Sequence, residues 1–239
     1  IGCYENQQNE PEITIVSASG TFLVPSSVTL TAQVAGLSGP ATFIWKLNNA
    51  LSSGNPLVYE VSDNMQLIAQ DVPAGLYDVG LTVRVGGASY EAISRPAYFQ
   101  VAPRDIYSSP ANPNAAYPYA TPETAASDIQ TAVDAAVDGT RVHVLPGDSG
   151  RYDVNSAISI QKGISVIGET GNPLDVWIYG SGNTRSRAFY INHAEALLAN
   201  VSASGASRGN GKTVCIEGAG GTVSNCVFTT SSTGADWST

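Results

Sequence analysis

The sequence predicts an all-β protein in two parts, a β-sandwich followed by a stack of parallel coils closed by one α-helix. Three observations carry this prediction. Over residues 12–102 apolar and polar residues alternate in short runs, the period of strands with one buried side. Only one stretch, 122–138, repeats its apolar residues at helical spacing. Beyond it, strand-like segments return roughly every 20–25 residues with glycine or asparagine at the corners, which is a solenoid signal.

Composition sets the limits. A chain of 239 residues accommodates two ordinary domains, and 43% hydrophobic residues supply a core. Charged residues make up only 13%, while 24 glycines and 13 prolines point to many tight turns. The net charge of −9 and the lack of a basic stripe exclude nucleic acid as a partner and disfavour an anionic membrane. No run approaches the 18 or so apolar residues of a membrane span, so no transmembrane segment is expected. The acidity serves solubility or weak Ca²⁺ binding, and no cofactor is expected. Cys3, Cys215 and Cys226 are too few for a disulfide scaffold and too scattered for zinc.

Residues 1–11 read as a polar leader. Its start, Ile1-Gly2-Cys3, resembles the end of a bacterial lipobox, which would make Cys3 a lipidation site. The other reading is a cysteine in a flexible leader.

Strand alternation begins with Ile13 and Ile15 and continues with Val28, Leu30, Ala32 and Val34. Further strands are expected at 43–47, 57–61, 65–72, 77–85 and 97–101, and seven or eight short strands in about 90 residues make a sandwich. Trp45 in the third strand, followed by Pro73-Ala74-Gly75-Leu76-Tyr77-Asp78-Val79 leading into Leu81-Thr82-Val83, resembles PKD-type and related immunoglobulin-like modules. The resemblance covers roughly 12–102 and implies an Ig-like β-sandwich. Asn48-Asn49 stands where that family usually has an Asp-Gly turn, which leaves the subfamily open.

Residues 103–121, rich in proline and alanine, are expected to be a linker and the entry to the second domain, which occupies 122–239. Thr121 can cap a helix with Pro122 at its first position. Ala125, Ile129, Ala132, Val133, Ala136 and Val137 give it a buried face, and Gly139 ends it. After it, Val144, Val166, Tyr190 and Cys215 follow one another at 22, 24 and 25 residues, and Ile158, Ile178, Leu198 and Val223 form a second set. Coils bury their inward side chains only against neighbours, so the stack needs a cap, and the helix over 122–138 is expected to supply it.

The run from Ser127 through Asp128-Ile129 to Ala136, with Gly139, Val142 to Gly147 and Gly163 to Glu169, resembles the start of pectate-lyase-like right-handed parallel β-helices. Ala188-Phe189-Tyr190-Ile191-Asn192-His193-Ala194 and the run Gly220 to Phe228 resemble bacterial surface proteins of that superfamily. The resemblance spans about 104–239 and implies the fold but no single chemistry, since lyases, hydrolases, adhesins and tailspikes share it. By the repeat count the chain stops mid-coil at Asp236-Trp237-Ser238-Thr239, so further coils are expected beyond it.

Elimination at a uronic acid needs carboxylates around Ca²⁺ plus an arginine or lysine base, and hydrolysis needs paired aspartates. Asp148, Asp153, Glu169, Asp175, Glu195, Glu217 and Asp236 are scattered and never paired at i, i+2 on one strand. No catalytic residue is therefore assigned. His143 is expected on the solvent face of its strand, and His193 at a coil corner satisfying backbone groups. The glycine-rich segment 205–211 lacks the phosphate-loop register and reads as a loop. Cys215, facing out, and Cys226, facing in, are expected to remain unbonded to each other.

The most informative stretch is Val176-Trp177-Ile178-Tyr179. If Val176 and Ile178 point inward, Trp177 and Tyr179 point out together, and Tyr190 is expected beside them one coil later. Such aromatics stack on sugar rings or are covered by a loop or by the first domain. Arg185 and Arg187 in the adjoining loop complete the candidate glycan site, where they could meet uronic acid carboxylates. The function expected is that of a non-catalytic, secreted or cell-surface bacterial protein with a binding or structural role, its partner a polysaccharide or another surface protein. The alternatives are the N-terminal portion of a polysaccharide lyase or hydrolase, and a filament subunit that self-assembles through the leader or the open coil end.

Overall fold

The computed structural model describes residues 10–93, 97–146, 151–180, 187–205 and 213–230. Among the described residues the protein is all-β but for one short α-helix and two 3₁₀ turns. It divides into two compact units, Ile1–Val101 and Ala102–Thr239.

In the first unit, β1 (Glu12–Thr21), β2 (Ser27–Ala35), β3 (Ala41–Asn49), β4 (Leu57–Ser62), β5 (Gln66–Gln70), β6 (Gly75–Val85), β7 (Ala88–Ile93) and β8 (Phe99–Val101) form two antiparallel sheets. Their orders are β1-β2-β5 and β4-β3-β6-β7, with β8 on β6. Alternation decides the inward faces. Val28 and Leu30 from one sheet, and Phe43, Trp45, Leu47, Val79, Leu81 and Val83 from the other, share one buried core. Burying each such side chain contributes about 1.5–3 kcal/mol. Tyr77 stacks on Phe99 at 5.1 Å, and its hydroxyl donates to the Pro73 carbonyl at 2.9 Å. Strand β7 is absent from the sequence reading. Its signal is Gly86-Gly87, both at positive φ (55° and 90°), the backbone that a two-residue hairpin turn requires.

The second unit begins earlier than the sequence suggests. Residues 103–121, read as linker and entry, contain β9 (Asp105–Ser108), which pairs in parallel with β10 (Arg141–Val144). The helix expected over 122–138 is also broken. A 3₁₀ turn at Pro122–Thr124 is capped by Thr121, and α1 spans only Ile129–Ala135. Between them the chain is drawn into sheet-like pairing: Ala126 donates to the Tyr107 carbonyl, Ser109 donates back to Ala126, and Ser108 bridges Ala126. Asp128 restarts the helix, its carboxylate accepting from the Thr131 N–H at 2.8 Å. Lys162 closes the other end, donating to the carbonyls of Val133 (3.1 Å), Asp134 (3.0 Å) and Ala136 (2.6 Å).

The coils follow as β11 (Arg151–Val154), β12 (Ile158–Ile160), β13 (Ser165–Gly168), β14 (Trp177–Gly180), β15 (Phe189–Ile191), β16 (Leu197–Ala199), β17 (Ser202–Gly205), β18 (Val214–Ile216), β19 (Thr222–Ser224) and β20 (Val227–Thr230). They form three parallel ladders: β9-β10-β13-β16-β19, β11-β14-β17-β20 and β12-β15-β18. Inward columns such as Ile106–Val142–Val166–Leu198 and Tyr152–Ile178–Ala203 are buried, and α1 packs Ile129, Ala132 and Val133 into the same core. Tyr152 is the polar exception in this core. Its hydroxyl lies 2.9 Å from the Ser108 carbonyl and 2.7 Å from that of Leu145, and burial pushes its phenol well above the usual range.

The ungapped repeat sets mix ladders. Val166 pairs with Val142 and Leu198, Tyr190 with Ser159 and Cys215, and Ile158 and Ile178 stand on different ladders. The repeat step is not constant: Arg141 to Ser165 is 24 residues, Ser165 to Leu197 is 32, and Leu197 to Thr222 is 25. The long step contains the segment between β14 and β15, and insertions in such connections cost little. Asn200 (φ 58°) and Asn225 (φ 47°) make equivalent one-coil-apart corners, with the Asn225 amide donating to Asn200 Oδ1 at 2.9 Å.

Candidate functional site

Strand alternation holds at β14. Val176 and Ile178 are fully buried, so Trp177 and Tyr179 stand on the outward face, Trp177 half-buried and Tyr179 exposed. Their ladder neighbours are Arg151 and Ser202 for Trp177, and Asp153 and Ser204 for Tyr179. Arg151 places its guanidinium over the Tyr179 ring, 4.2 Å from the centroid. Its Nε and Nη2 both donate to Asp153 Oδ1, at 2.9 and 2.5 Å. The surface is thus two aromatic rings beside a cation that is already paired with a carboxylate, while on the next strand Ser202 and Ser204 are buried, the Ser202 hydroxyl donating to the Pro173 carbonyl at 2.7 Å.

Tyr190 does not join them. It lies on β15, in a different ladder, between Ser159 and Cys215. A vertical neighbour in this stack lies a whole coil away, 25 residues for Trp177 and Ser202, and Tyr190 lies well short of that step, past a corner. Its hydroxyl sits 3.4 Å from Glu217 Oε2, and Arg187 approaches the other oxygen of that carboxylate at 3.6 Å. Arg187 therefore belongs to the Tyr190 face, while Arg185 and Cys3 lie outside the described residues.

A second polar cluster escaped the sequence reading. His143 is outward on β10, yet its side chain is only 16% exposed rather than open to solvent. Its Nε2 lies 2.9 Å from Asp105 Oδ1, its Nδ1 2.5 Å from Glu169 Oε2, and its ring stacks on Tyr107 at 4.8 Å. Arg141 Nε shares Asp105 Oδ1 at 3.1 Å. The hydrogen bond with His143, followed by the Arg141 charge, holds the Asp105 carboxyl below its usual range against the opposing effect of burial. Outward alternation of Arg141 and His143 was readable; their partner strand, taken for linker, was not.

His193 behaves as a corner residue, its Nδ1 accepting from the Glu195 N–H at 3.2 Å. Cys215 and Cys226 are not bonded to each other. Cys215 stacks on Tyr190 in register but is covered, its Sγ 3.1 Å from Glu217 Oε1. Burial pushes the Cys226 thiol up. Gly205 ends β17, and the rest of the glycine-rich segment 205–211 lies outside the described residues. Among the described residues no group of three His, Cys, Asp or Glu is placed to hold a metal ion, and no helix is long and apolar enough to cross a membrane.

Comparison with known proteins finds no family model, no curated protein and no solved structure that matches the chain.

Proposed function

We propose that the chain is a non-catalytic binding module of a secreted or surface-borne bacterial protein, and that its ligand is a glycan. In this reading the first unit is an immunoglobulin-like sandwich of the PKD type. Support comes from fully buried Trp45 and from the Tyr77 hydroxyl bonded back to Pro73, the corner that such sandwiches use. The second unit is the start of a right-handed parallel β-helix. Support comes from its three parallel ladders, its α1 cap and its stacked asparagine corner.

The observation that carries the functional reading is the pair Trp177 and Tyr179, turned outward together while Val176 and Ile178 fill the core. Aromatic rings on a flat strand surface present apolar faces on which the C–H face of a sugar stacks, with polar groups at their edge to fix its orientation. Arg151 and Asp153 supply those polar groups here. Asp153 is engaged by Arg151 and has no second carboxylate beside it on its strand, which favours binding over glycosidic cleavage.

Titration of the chain with neutral and acidic polysaccharides tests this reading. A shallow strip should bind in the micromolar to millimolar range, and Trp177→Ala should weaken binding at least about tenfold, roughly 1.4 kcal/mol. Absence of binding to every polysaccharide, or binding indifferent to Trp177→Ala, would overturn it.

A further inference from the structure

A cavity of about 300 Å³ opens on the outward face of the β3-β6-β7 sheet in the first unit, at the lower end of the range for small-molecule pockets. At its floor is Gly80, in the middle of the central strand β6 and directly opposite Lys46 of β3. Among the described residues nothing in the packing requires glycine there. Its φ is ordinary for a strand, and among the described residues a Cβ would meet only Lys46 Cβ at 3.8 Å, an unstrained contact. Glycine inside a strand weakens it, and besides bulges and bends its use there is to let a ligand or another backbone approach closely.

The walls carry complementary chemistry. Lys46 and Asn48 flank the floor on β3, Asp78 and Thr82 on β6, and Glu91 on β7. Thr82 and Glu91 are opposite each other in register, as are Asn48 and Asp78. Asp78 accepts from the Ala97 N–H at 2.6 Å. Lys46 and Glu91 make no ion pair and no side-chain hydrogen bond with any described residue, although they line one small cavity. An anionic ligand would meet one ammonium and two carboxylates, and a cationic ligand the reverse, so neither fits the whole rim. A neutral ring of hydroxyls, each of which both donates and accepts, satisfies ammonium, amide, hydroxyl and carboxylate groups together. We infer that this cavity is a binding site for a single neutral sugar residue, separate from the Trp177 strip and independent of it.

The test is amide chemical-shift mapping on the intact chain titrated with glucose, galactose, mannose and N-acetylglucosamine. At least one sugar should give saturable shifts at Asn48, Gly80, Thr82 and Glu91. Gly80→Val fills the floor with a strand-favouring side chain, so it should abolish those shifts while leaving the melting temperature equal or higher. Trp177→Ala should leave them unchanged, which separates this site from the strip. Should Gly80→Val fail to fold, Glu91→Gln carries the test, with an expected loss of affinity of about fivefold, as for one charged hydrogen bond at a solvated rim. No saturable shift with any of the four sugars, shifts that survive Gly80→Val, or an affinity indifferent to Glu91→Gln would overturn the inference.

Discussion

Arg151 lies over the ring of Tyr179, its guanidinium carbon 4.2 Å from the ring centroid, although Arg151 is the register partner of Trp177 rather than of Tyr179. The diagonal contact leaves Tyr179 exposed but holds one face of its ring against a cation, which Asp153 in turn orients. Arg151 is therefore positioned to join any ligand that stacks on the strip.

Glycan binding should follow the ladder rather than the sequence neighbourhood. Trp177→Ala and Tyr179→Ala should each weaken it about tenfold or more, whereas Tyr190→Ala, on another ladder, should change it less than about twofold, on the scale of 1.4 kcal/mol per tenfold. Calorimetric titration of the three variants against the best polysaccharide decides this. An effect of Tyr190→Ala equal to that of Trp177→Ala would show that the ligand spans both faces.

Lys162 is the C-terminal cap of α1, half-buried, with its pKa lowered by that burial. Lys162→Met keeps the apolar stem but removes the ammonium donor from the carbonyls of Val133, Asp134 and Ala136, of which Val133 keeps the Ala136 N–H. A loss of about 1–3 kcal/mol is expected in the second unit. Denaturant melts followed by a probe in that unit should show it, with the transition of the first unit unmoved.

Gly168→Ala should be more damaging. An added Cβ would sit 2.0 Å from the Asn200 carbonyl oxygen of the next coil, so the strand or the corner must shift. Overpacking of this kind costs about 1–3 kcal/mol, and the backbone contact places it at the upper end. The same substitution at Gly80, where only a 3.8 Å contact awaits, should be neutral or stabilising, and the paired melting temperatures check the contrast.

Acid should loosen the first coil through Asp105. Its carboxyl is held below the ordinary range by His143 and then by Arg141, so the folded state binds that proton less readily than the unfolded one. The stability it contributes is complete above the unfolded value near about pH 4 and is lost as pH falls through the lower folded value. Stability of the second unit should therefore decline below about pH 4, and Asp105→Asn should flatten part of that decline while lowering stability at neutral pH. A pH series of denaturant melts on both chains measures it; an Asp105→Asn chain with an unaltered acid limb would remove Asp105 from the account.

What the sequence determined by itself is what depends on near neighbours. The inward and outward sides of Val176-Trp177-Ile178-Tyr179 follow from a period of two that any strand imposes. Likewise, the apolar spacing of Ile129, Ala132 and Val133 settles which face of α1 is buried. Tertiary structure alone decided which strand lies on which. Tyr190 stands on a different ladder from Trp177 because it follows by 13 residues, about half of the 25-residue step from Trp177 to Ser202, and each coil passes through three ladders. The break before α1 and the Asp105–His143–Glu169 cluster have the same origin. Ala126 gave up helical hydrogen bonds for pairing with β9, and Asp105 reached His143 across 38 residues, through parallel pairing that no local preference encodes.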